Sequence, residues 1–218
     1  MSRIAVFGTG GRAGRRAVAE AAARGHHVTA VVRDPGKHGD LSGGAVTVVP
    51  GDVTEADSVF AVARGHDAAI SIAYRADTPP REFFVDAAHA LLDGLARAGV
   101  PRLVVAGIGT VLQTTPGVAV HDGPDFPAEA RALSLAHMAE LEVLRAADTD
   151  VDWLVLAPPP TVLADTAPAD KRYRIGGAMV LRSAGDADPF SYADLAIALL
   201  DEIDNPRHHR TLAAVALF

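Results

Sequence analysis

The chain has 218 residues, of which 49% are hydrophobic and 22% are charged, with a formal net charge of −7 and no cysteine. An acidic balance without clustered basic residues argues against nucleic acid as a partner, and the lack of cysteine excludes disulfides, thiolate metal sites and cysteine nucleophiles. We see neither a signal-peptide pattern nor an apolar run of the roughly 18 residues that a membrane span needs. We therefore expect a cytoplasmic protein with no membrane contact.

Short apolar runs alternate with helical patterns along the chain. The runs lack polar alternation, which is typical of strands buried on both faces of a parallel sheet, and they cover residues 3–7, 27–33, 45–52, 67–74, 102–107 and 151–158. Helical spacing and end signals predict helices over 11–24, 54–65, 80–98, 127–147 and 191–204. Thr54 is the expected N-cap of the second helix, and Ser191 with Asp194 forms the expected capping box of the last.

This alternation predicts one doubly wound α/β domain over residues 1–218, with a mostly parallel sheet and a small C-terminal appendage on the substrate side. Two long Pro/Gly-rich loops, 107–126 and 158–170, each follow the C-terminal end of a strand. Ligands bind at that edge of an open parallel sheet, so both loops are candidates to shape a site.

The first strand is followed directly by a glycine-rich turn, "FGTGGRAGRRA", at the mouth of the first helix. In that context Gly8 permits a tight turn, Gly10 or Gly11 lets a pyrophosphate approach the backbone, and Gly14 allows close packing of the helix. The helix N-terminus, with Arg12 and Ala13, adds N–H donors and a positive dipole. A flexible turn without a ligand is the plainer alternative. The position within a β-α-β unit favours a dinucleotide-binding Rossmann fold.

The second and third predicted strands indicate which dinucleotide binds. The second ends in "VVRDP", and the guanidinium of Arg33 suits the 2′-phosphate of NADPH, with Arg12 as a second cation. Arg33 could instead be a surface residue paired with Asp34, and Asp34 could serve the ribose of NADH. We thus expect NADP(H) to be preferred and NAD(H) to be possible. Asp52 could accept a hydrogen bond from the adenine amino group, or it could cap a turn.

The segments "IAVFGTGGRAGRRAVAEAAARGHHVTAVVRDP", "VVPGDVTEADSV" and "GHDAAISI" resemble the atypical short-chain dehydrogenases/reductases, and more narrowly the NAD(P)H-binding flavin reductase-like proteins, which include biliverdin-IXβ reductase and bacterial NADH-flavin reductase homologues. The resemblance continues through "RLVVAGIGT", "KRYRIGG" and "FSYADLAIALLDEIDNPRHHR", and so covers nearly the whole chain. It implies a Rossmann domain that uses NAD(P)H to reduce a small molecule.

The resemblance also shows what this chain lacks. The Tyr-x-x-x-Lys pair of the wider superfamily falls at Leu133 and His137, and the catalytic serine falls at Gly109, with Thr110 adjacent. Reduction of a simple carbonyl by the usual route is therefore in doubt. A flavin, quinone or tetrapyrrole can take hydride into a conjugated system and a proton from water, which leaves the protein to supply orientation and a dry pocket.

Catalytic candidates are accordingly few: His137 as a donor in the lysine slot, Tyr74 near the nicotinamide, and Thr110. His137 could instead be a helix-surface histidine without partners, and Tyr74 could only line the wall. Ala73 and Pro158, at the ends of two of the predicted strands, are expected beside the cofactor. Lys171, Arg172 and Tyr173 could meet an anionic acceptor or begin a solvated strand.

The remaining histidines do not form a metal site by spacing. His26–His27 and His208–His209 are adjacent pairs that do not share a helix face, and the group of His121, Asp122 and Asp125 lacks a convincing ligand set. We expect these histidines to be surface residues and no metal to be bound.

Three functions remain open: an NAD(P)H-dependent reductase of a flavin-like acceptor, an isomerase or dehydratase on the same scaffold, and a non-catalytic NADP sensor resembling NmrA-like proteins. The expected partner is a planar small molecule, and a monomer and a homodimer are equally compatible with the sequence.

Overall fold

The computed structural model describes residues 1–167, 169, 172–181 and 189–217. The strands in this part of the chain are β1 (Arg3–Phe7), β2 (His27–Val32), β3 (Val46–Pro50), β4 (Ala68–Ser71), β5 (Arg102–Ala106), β6 (Gln113–Thr115), β7 (Val118–Ala119), β8 (Asp152–Ala157), β9 (Tyr173–Ile175) and β10 (Thr211–Leu217). The α-helices are α1 (Arg12–Ala23), α2 (Ala56–Ala63), α3 (Pro80–Ala98), α4 (Ala128–Ala146) and α5 (Tyr192–Asp204).

The main sheet has eight strands in the order β3-β2-β1-β4-β5-β8-β10-β9. Its strands run parallel except for β9, which pairs antiparallel with β10. The chain moves outward from β1 through β2 and β3 on one side, then returns to place β4 on the other side of β1. This reversal between β1 and β4 opens a crevice at the C-terminal ends of the strands, where such sheets bind ligands. The predicted α/β fold is confirmed.

Both faces of the sheet are covered, which explains the uninterrupted apolar runs in the sequence. In β1, Ile4 and Val6 pack with α1 and α5, whereas Ala5 and Phe7 point to the opposite face and pack with α2, α3 and α4. All four side chains are buried. A strand with two buried faces cannot alternate between apolar and polar residues, so the sequence pattern follows directly from the layer arrangement.

Helix ends follow local rules with one exception. Ser191 and Asp194 form the predicted capping box of α5, and α3 ends at Gly99 in a left-handed conformation with φ 71°. The predicted N-cap of the second helix is wrong: α2 begins at Ala56, with Glu55 as its N-cap. Thr54 is unavailable because its hydroxyl donates to Asp52 Oδ1 at 2.7 Å in the preceding turn.

Two features of the C-terminal half were not predicted, and a third matches one of two sequence alternatives. The loop 107–126 contains the hairpin of β6 and β7, and β10 enters the sheet beside β8. Tyr173 begins β9, as one of the sequence alternatives proposed, and its hydroxyl donates to Asp201 of α5; burial and this carboxylate both raise the pKa of the phenol. Lys171 lies outside the described residues.

In the part of the chain described, none of the helices combines the length and hydrophobicity needed to cross a bilayer.

Candidate dinucleotide-binding site

The glycine turn between β1 and α1 is shaped by close backbone packing. Gly8 has φ +87°, and a Cβ there would lie 2.5 Å from the carbonyl oxygen of Ile72, directly after β4. A Cβ at Gly14 would lie 2.3 Å from Gly8 O. Both positions therefore require glycine, one for the turn itself and the other for the approach of α1 to it. Gly11 differs, since a Cβ there would meet only Gly8 O, at 3.8 Å.

The N-terminus of α1 is left open by this turn. Gly11 is the N-cap and supplies no side-chain hydrogen bond, and the first turn of the helix contains no acidic residue. The N–H groups of this turn, to which Arg12, Ala13 and Gly14 belong, are those that an α-helix cannot satisfy internally. With the helix dipole, they form a site suited to a phosphate group.

A cleft of about 630 Å³ lies beside this turn, over the ends of β1 to β4. Seven of the predicted cofactor and catalytic residues line it: Gly8, Gly10, Gly11, Arg33, Asp52, Ala73 and Tyr74. The structure adds Lys37, His38 and Arg75, which the sequence analysis missed. His38 lies close over the turn, since a Cβ on Gly10 would come within 2.8 Å of its ring. Open space beside an uncapped helix end and a tight glycine turn fits a bound dinucleotide.

The basic residues at the outer end of this cleft are arranged differently from the sequence expectation. Arg33 donates to Asp77 at 3.2 Å rather than pairing with Asp34. Asp34 instead accepts from Gly36 N at 3.1 Å and pairs with Lys37, which lowers the pKa of its carboxyl group. The sequence signal for the new partner was weak, because Asp77 is 44 residues away in the chain.

Arg12 does not line the cleft, and its role as a second cation near the 2′-phosphate stays a prediction. Its guanidinium lies 5.2 Å from the ring centre of Tyr192 and 3.8 Å from Asp165, beside the start of α5. The structure places Arg75 next to Arg33 instead, since both donate to Asp77. Loop residues that follow β4 thus supply the neighbouring cation that the glycine loop was expected to provide.

Asp52 is committed to its own turn, which favours the second of its two sequence interpretations. Its Oδ1 accepts from the backbone N–H of Thr54 at 3.0 Å and its Oδ2 accepts from Arg75 at 3.2 Å. These hydrogen bonds and the nearby arginines outweigh partial burial and lower the pKa of the carboxyl group. Asp52 still lines the cleft, but as a turn cap and as a partner of Arg75.

An aromatic cluster borders the inner side of the cleft. Tyr74 is 53% exposed, and its ring stacks on Phe84 with centroids 6.0 Å apart. The ring of Phe84 also contacts the ring of His137, with centroids 3.9 Å apart. Two of the predicted catalytic residues, Tyr74 and His137, therefore both contact one phenylalanine of α3, and Tyr74 is the exposed one of the two.

His137 is not the free surface histidine of the alternative interpretation. It is buried on α4, and its Nδ1 lies 3.1 Å from Oε2 of the equally buried Glu140. A carboxylate partner holds the ring with Nδ1–H as donor, and this fixes its orientation. Burial, the carboxylate and the Phe84 ring together make His137 a positioned side chain.

Thr110 is held by two residues that the sequence analysis did not assign to the site. The carbonyl oxygen of Thr110 lies 2.9 Å from His121 Nδ1, so this nitrogen carries a hydrogen and donates. Ser134 Oγ lies 3.0 Å from the same nitrogen and donates its own hydrogen to Thr110 Oγ1 at 2.7 Å. Thr110 consequently keeps its hydroxyl hydrogen for another acceptor. Spacing gave no signal for this group, since His121 and Ser134 lie on different elements.

The loop after β8 packs closely on Gly109, the residue that the resemblance aligns with the catalytic serine of the wider superfamily. A Cβ at Gly109 would lie 2.4 Å from the carbonyl oxygen of Pro158 and 2.4 Å from Pro160 N. The proline turn therefore packs on the backbone beside Thr110, and no side chain fits at 109. Pro158 is placed next to Thr110 at the ends of β5 and β8, outside the lining of the 630 Å³ cleft.

Two of the histidines predicted to be on the surface are buried. His26 accepts from the backbone N–H of Ser2 at 3.2 Å, and His121 belongs to the Thr110 group. Their predicted surface positions are wrong because each side chain is packed between secondary-structure elements, where it hydrogen-bonds to backbone groups. Within residues 1–167, 169, 172–181 and 189–217, no cluster of three or more histidine, aspartate or glutamate side chains could hold a metal ion.

Fold, glycine turn and cleft together define a Rossmann-type dinucleotide-binding protein. The sequence model of the NAD(P)H-binding family matches residues 8–206, so the chain belongs to this family and a nicotinamide dinucleotide is its cofactor class. The resemblance is confirmed as one to NAD(P)H-binding proteins of this family, and a solved structure described as a proposed NADH-flavin reductase is among the similar ones.

Three solved structures show the range of functions proposed for proteins similar to this chain. A proposed exported protein from Burkholderia pseudomallei is 33% identical, with a TM-score of 0.85 over 99% of this chain and 100% of that one. A proposed epimerase from Bacteroides thetaiotaomicron is 26% identical, with a TM-score of 0.86 over 99% and 97% of the chains. A proposed NADH-flavin reductase from Streptococcus pneumoniae is 26% identical, with a TM-score of 0.82 over 100% of both.

Proposed function

We propose that this protein is an NADPH-dependent reductase that passes hydride to a flavin or a similar planar conjugated acceptor. The observation that carries this proposal is a dinucleotide cleft bordered by the exposed ring of Tyr74. The sequence resemblance supports it, because it aligns Leu133 and His137 with the tyrosine–lysine pair of the wider superfamily. Likeness to the Streptococcus pneumoniae protein supports the acceptor class. The proposed use of NADPH fits a cytoplasmic location, which stays a prediction.

The bound cofactor would supply a hydride, and the side chains around the cleft would orient the acceptor. Tyr74 offers a flat, half-exposed surface for stacking, with Phe84 behind it. Thr110 lies beside Pro158, outside the lining of the cleft, and offers a hydroxyl hydrogen that Ser134 leaves free; it could donate to a carbonyl or ring nitrogen of an acceptor that extends that far. The acceptor takes its proton from water, so the balance requires one hydride and one solvent proton for each acceptor reduced.

The test is NADPH oxidation followed at 340 nm with riboflavin, FMN, FAD, a quinone and biliverdin as separate acceptors. We expect turnover with at least one of them and a product with the spectrum of the reduced acceptor. If the protein binds NADPH but oxidises it with none of these acceptors, the reductase proposal is wrong. An isomerase, as the likeness to a proposed epimerase suggests, or a non-catalytic NADP sensor would then be the better interpretation.

A first prediction concerns His137, whose role should be to position rather than to donate the proton. We expect His137→Asn, which keeps a donor toward Glu140, to lower kcat/KM for a flavin-type acceptor by about tenfold or less. An obligate general acid would cost roughly 10²–10⁴-fold. The measurement is kcat/KM between pH 6 and 9 with the best acceptor. A loss of several thousandfold with unchanged NADPH affinity would make His137 the acid and move the substrate toward simple carbonyls.

A second prediction concerns the cofactor preference that we attribute to Arg33. Arg33→Ala should weaken NADPH binding by roughly five- to a hundredfold, the scale of a lost charge-assisted hydrogen bond to phosphate, while NADH binding changes little. Titration by the quenching of the intrinsic fluorescence of the protein gives both dissociation constants. Equal losses for the two cofactors would show that Arg33 does not distinguish them.

A further inference from the structure

One carboxylate bridges the two arginines at the outer end of the cleft. Asp77 Oδ2 accepts from Arg33 Nη1 at 3.2 Å and from Arg75 Nη2 at 3.5 Å, and Asp77 Oδ1 accepts from Arg75 Nε at 3.0 Å. The two guanidinium groups therefore face a common anion. Arg75 Nη1 donates to Asp52 at 3.2 Å, so each of its three guanidinium nitrogens contacts a carboxylate.

The charges in this group balance. Arg33 and Arg75 line the cleft, and each positive charge is matched by one of two carboxylates, Asp52 and Asp77. The two arginines lower the pKa of the Asp77 carboxyl group to about 2, so it remains ionised throughout the neutral range. Asp77 sits on the loop between β4 and α3 and is half-exposed or more, which gives it room to move away from the arginines.

We infer that Asp77 is an internal competitor for the 2′-phosphate of NADPH, a carboxylate that occupies Arg33 and Arg75 until the phosphate displaces it. This inference rests on the NADPH preference proposed above and adds a second determinant to it. Arg33 supplies attraction for the 2′-phosphate, and Asp77 limits how strong that preference becomes.

The physical argument is one of exchange between anions. A phosphate monoester carries about −1.5 to −2 charges at neutral pH and three acceptor oxygens, so it can replace one carboxylate on two guanidinium groups. The exchange costs the contacts that Asp77 makes, and it leaves Asp77 near a second anion. NADH lacks the 2′-phosphate and requires no exchange, so Asp77 should penalise NADPH alone.

The experiment uses the full chain and two nucleotide probes, 2′,5′-ADP and 5′-AMP, which differ only in the 2′-phosphate. Asp77→Asn keeps the shape of the side chain and removes its charge. We expect it to tighten 2′,5′-ADP by about three- to tenfold in isothermal titration, the range for releasing exposed ion pairs, and to change 5′-AMP by less than about twofold.

Asp40→Asn is the matched control. Asp40 is as exposed as Asp77, at 61% against 60%, and is paired with Arg15, which does not line the cleft. Asp40→Asn removes the same charge as Asp77→Asn, so a general electrostatic effect would tighten the binding of 2′,5′-ADP equally in both variants. That result would overturn the inference. Weaker binding of 2′,5′-ADP by Asp77→Asn would also overturn it, because Asp77 would then be holding the arginines in place.

The wild-type chain and Arg33→Ala separate this inference from the proposed preference on which it rests. If wild type binds 2′,5′-ADP no better than 5′-AMP, and Arg33→Ala changes neither, the NADPH preference itself fails. If wild type prefers 2′,5′-ADP through Arg33 but Asp77→Asn leaves that preference unchanged, only the role assigned to Asp77 is wrong.

Discussion

Gly8→Val should lower the free energy of unfolding by about 2–5 kcal/mol, since it combines a strained backbone with an overpacked contact. Valine does not tolerate the φ of +87°, and its Cβ would have to lie 2.5 Å from Ile72 O. The clashing atoms follow directly after β1 and β4, so these neighbouring strands would have to separate to relieve the clash. Urea unfolding followed by circular dichroism measures the loss.

Gly11→Ala is the matched comparison within the same turn. Its Cβ would meet only Gly8 O at 3.8 Å, and its φ of −82° suits any residue. We expect the free energy of unfolding to change by no more than about 1 kcal/mol. The new methyl group would nevertheless enter the phosphate position at the α1 N-terminus, so NADPH should bind about tenfold more weakly or worse.

Opposite results would contradict the assignment of these glycines. A Gly8→Val chain as stable as wild type would mean that the turn does not pack on β4 as described. A Gly11→Ala chain that binds NADPH normally would mean that the pyrophosphate does not approach the backbone there. The pair thus separates the structural role of a glycine from its role in binding.

Glu202→Ala should destabilise the chain by about 3–5 kcal/mol, the usual cost of removing one partner from a buried ion pair. Glu202 is 2% exposed and accepts from Arg102 Nη2, from the backbone N–H groups of Arg207 and His208, and from His208 Nδ1. Arg102 is itself 6% exposed and would be left partly unpaired between β5 and α5.

Glu142→Ala on α4 provides the control for this second prediction. Glu142 is exposed, so the same substitution there should change the free energy of unfolding by about 0.5 kcal/mol at most. The measurement is again urea unfolding, with thermal unfolding as a second reading. A Glu202→Ala loss no larger than that of Glu142→Ala would show that the Arg102–Glu202 pair does not stabilise the turn leading into β10.

Elements that depend on short-range signals could be predicted from the sequence with good boundaries. The capping box at Ser191 and the left-handed glycine that ends α3 both follow from residues within one helical turn. β10 was missed although it is apolar, because its run, "TLAAVAL", consists mainly of alanine and leucine and has only Thr211 and Val215 as β-branched residues to identify a strand. Its strand conformation comes from pairing with β8 and β9.

Within the candidate site, the sequence predicted backbone features better than side-chain partners. Seven predicted residues line one cleft because strand ends in a parallel sheet meet at one edge. The direction of Arg12 toward Tyr192, by contrast, depends on where α5 packs against α1, which no local pattern encodes.

The sequence by itself determined the dinucleotide turn and the class of fold. The backbone that packs against the turn leaves no room for a side chain at Gly8 or Gly14, and a sheet covered on both faces requires uninterrupted apolar strands. Only the tertiary structure decided which side chains meet at the sheet edge. Arg33 donates to Asp77 rather than to Asp34, and Thr110 accepts hydrogen bonds from Ser134 and His121. These side chains lie on loops and helices that follow different strands. Because the partners are far apart in the sequence, no local pattern predicts their contacts.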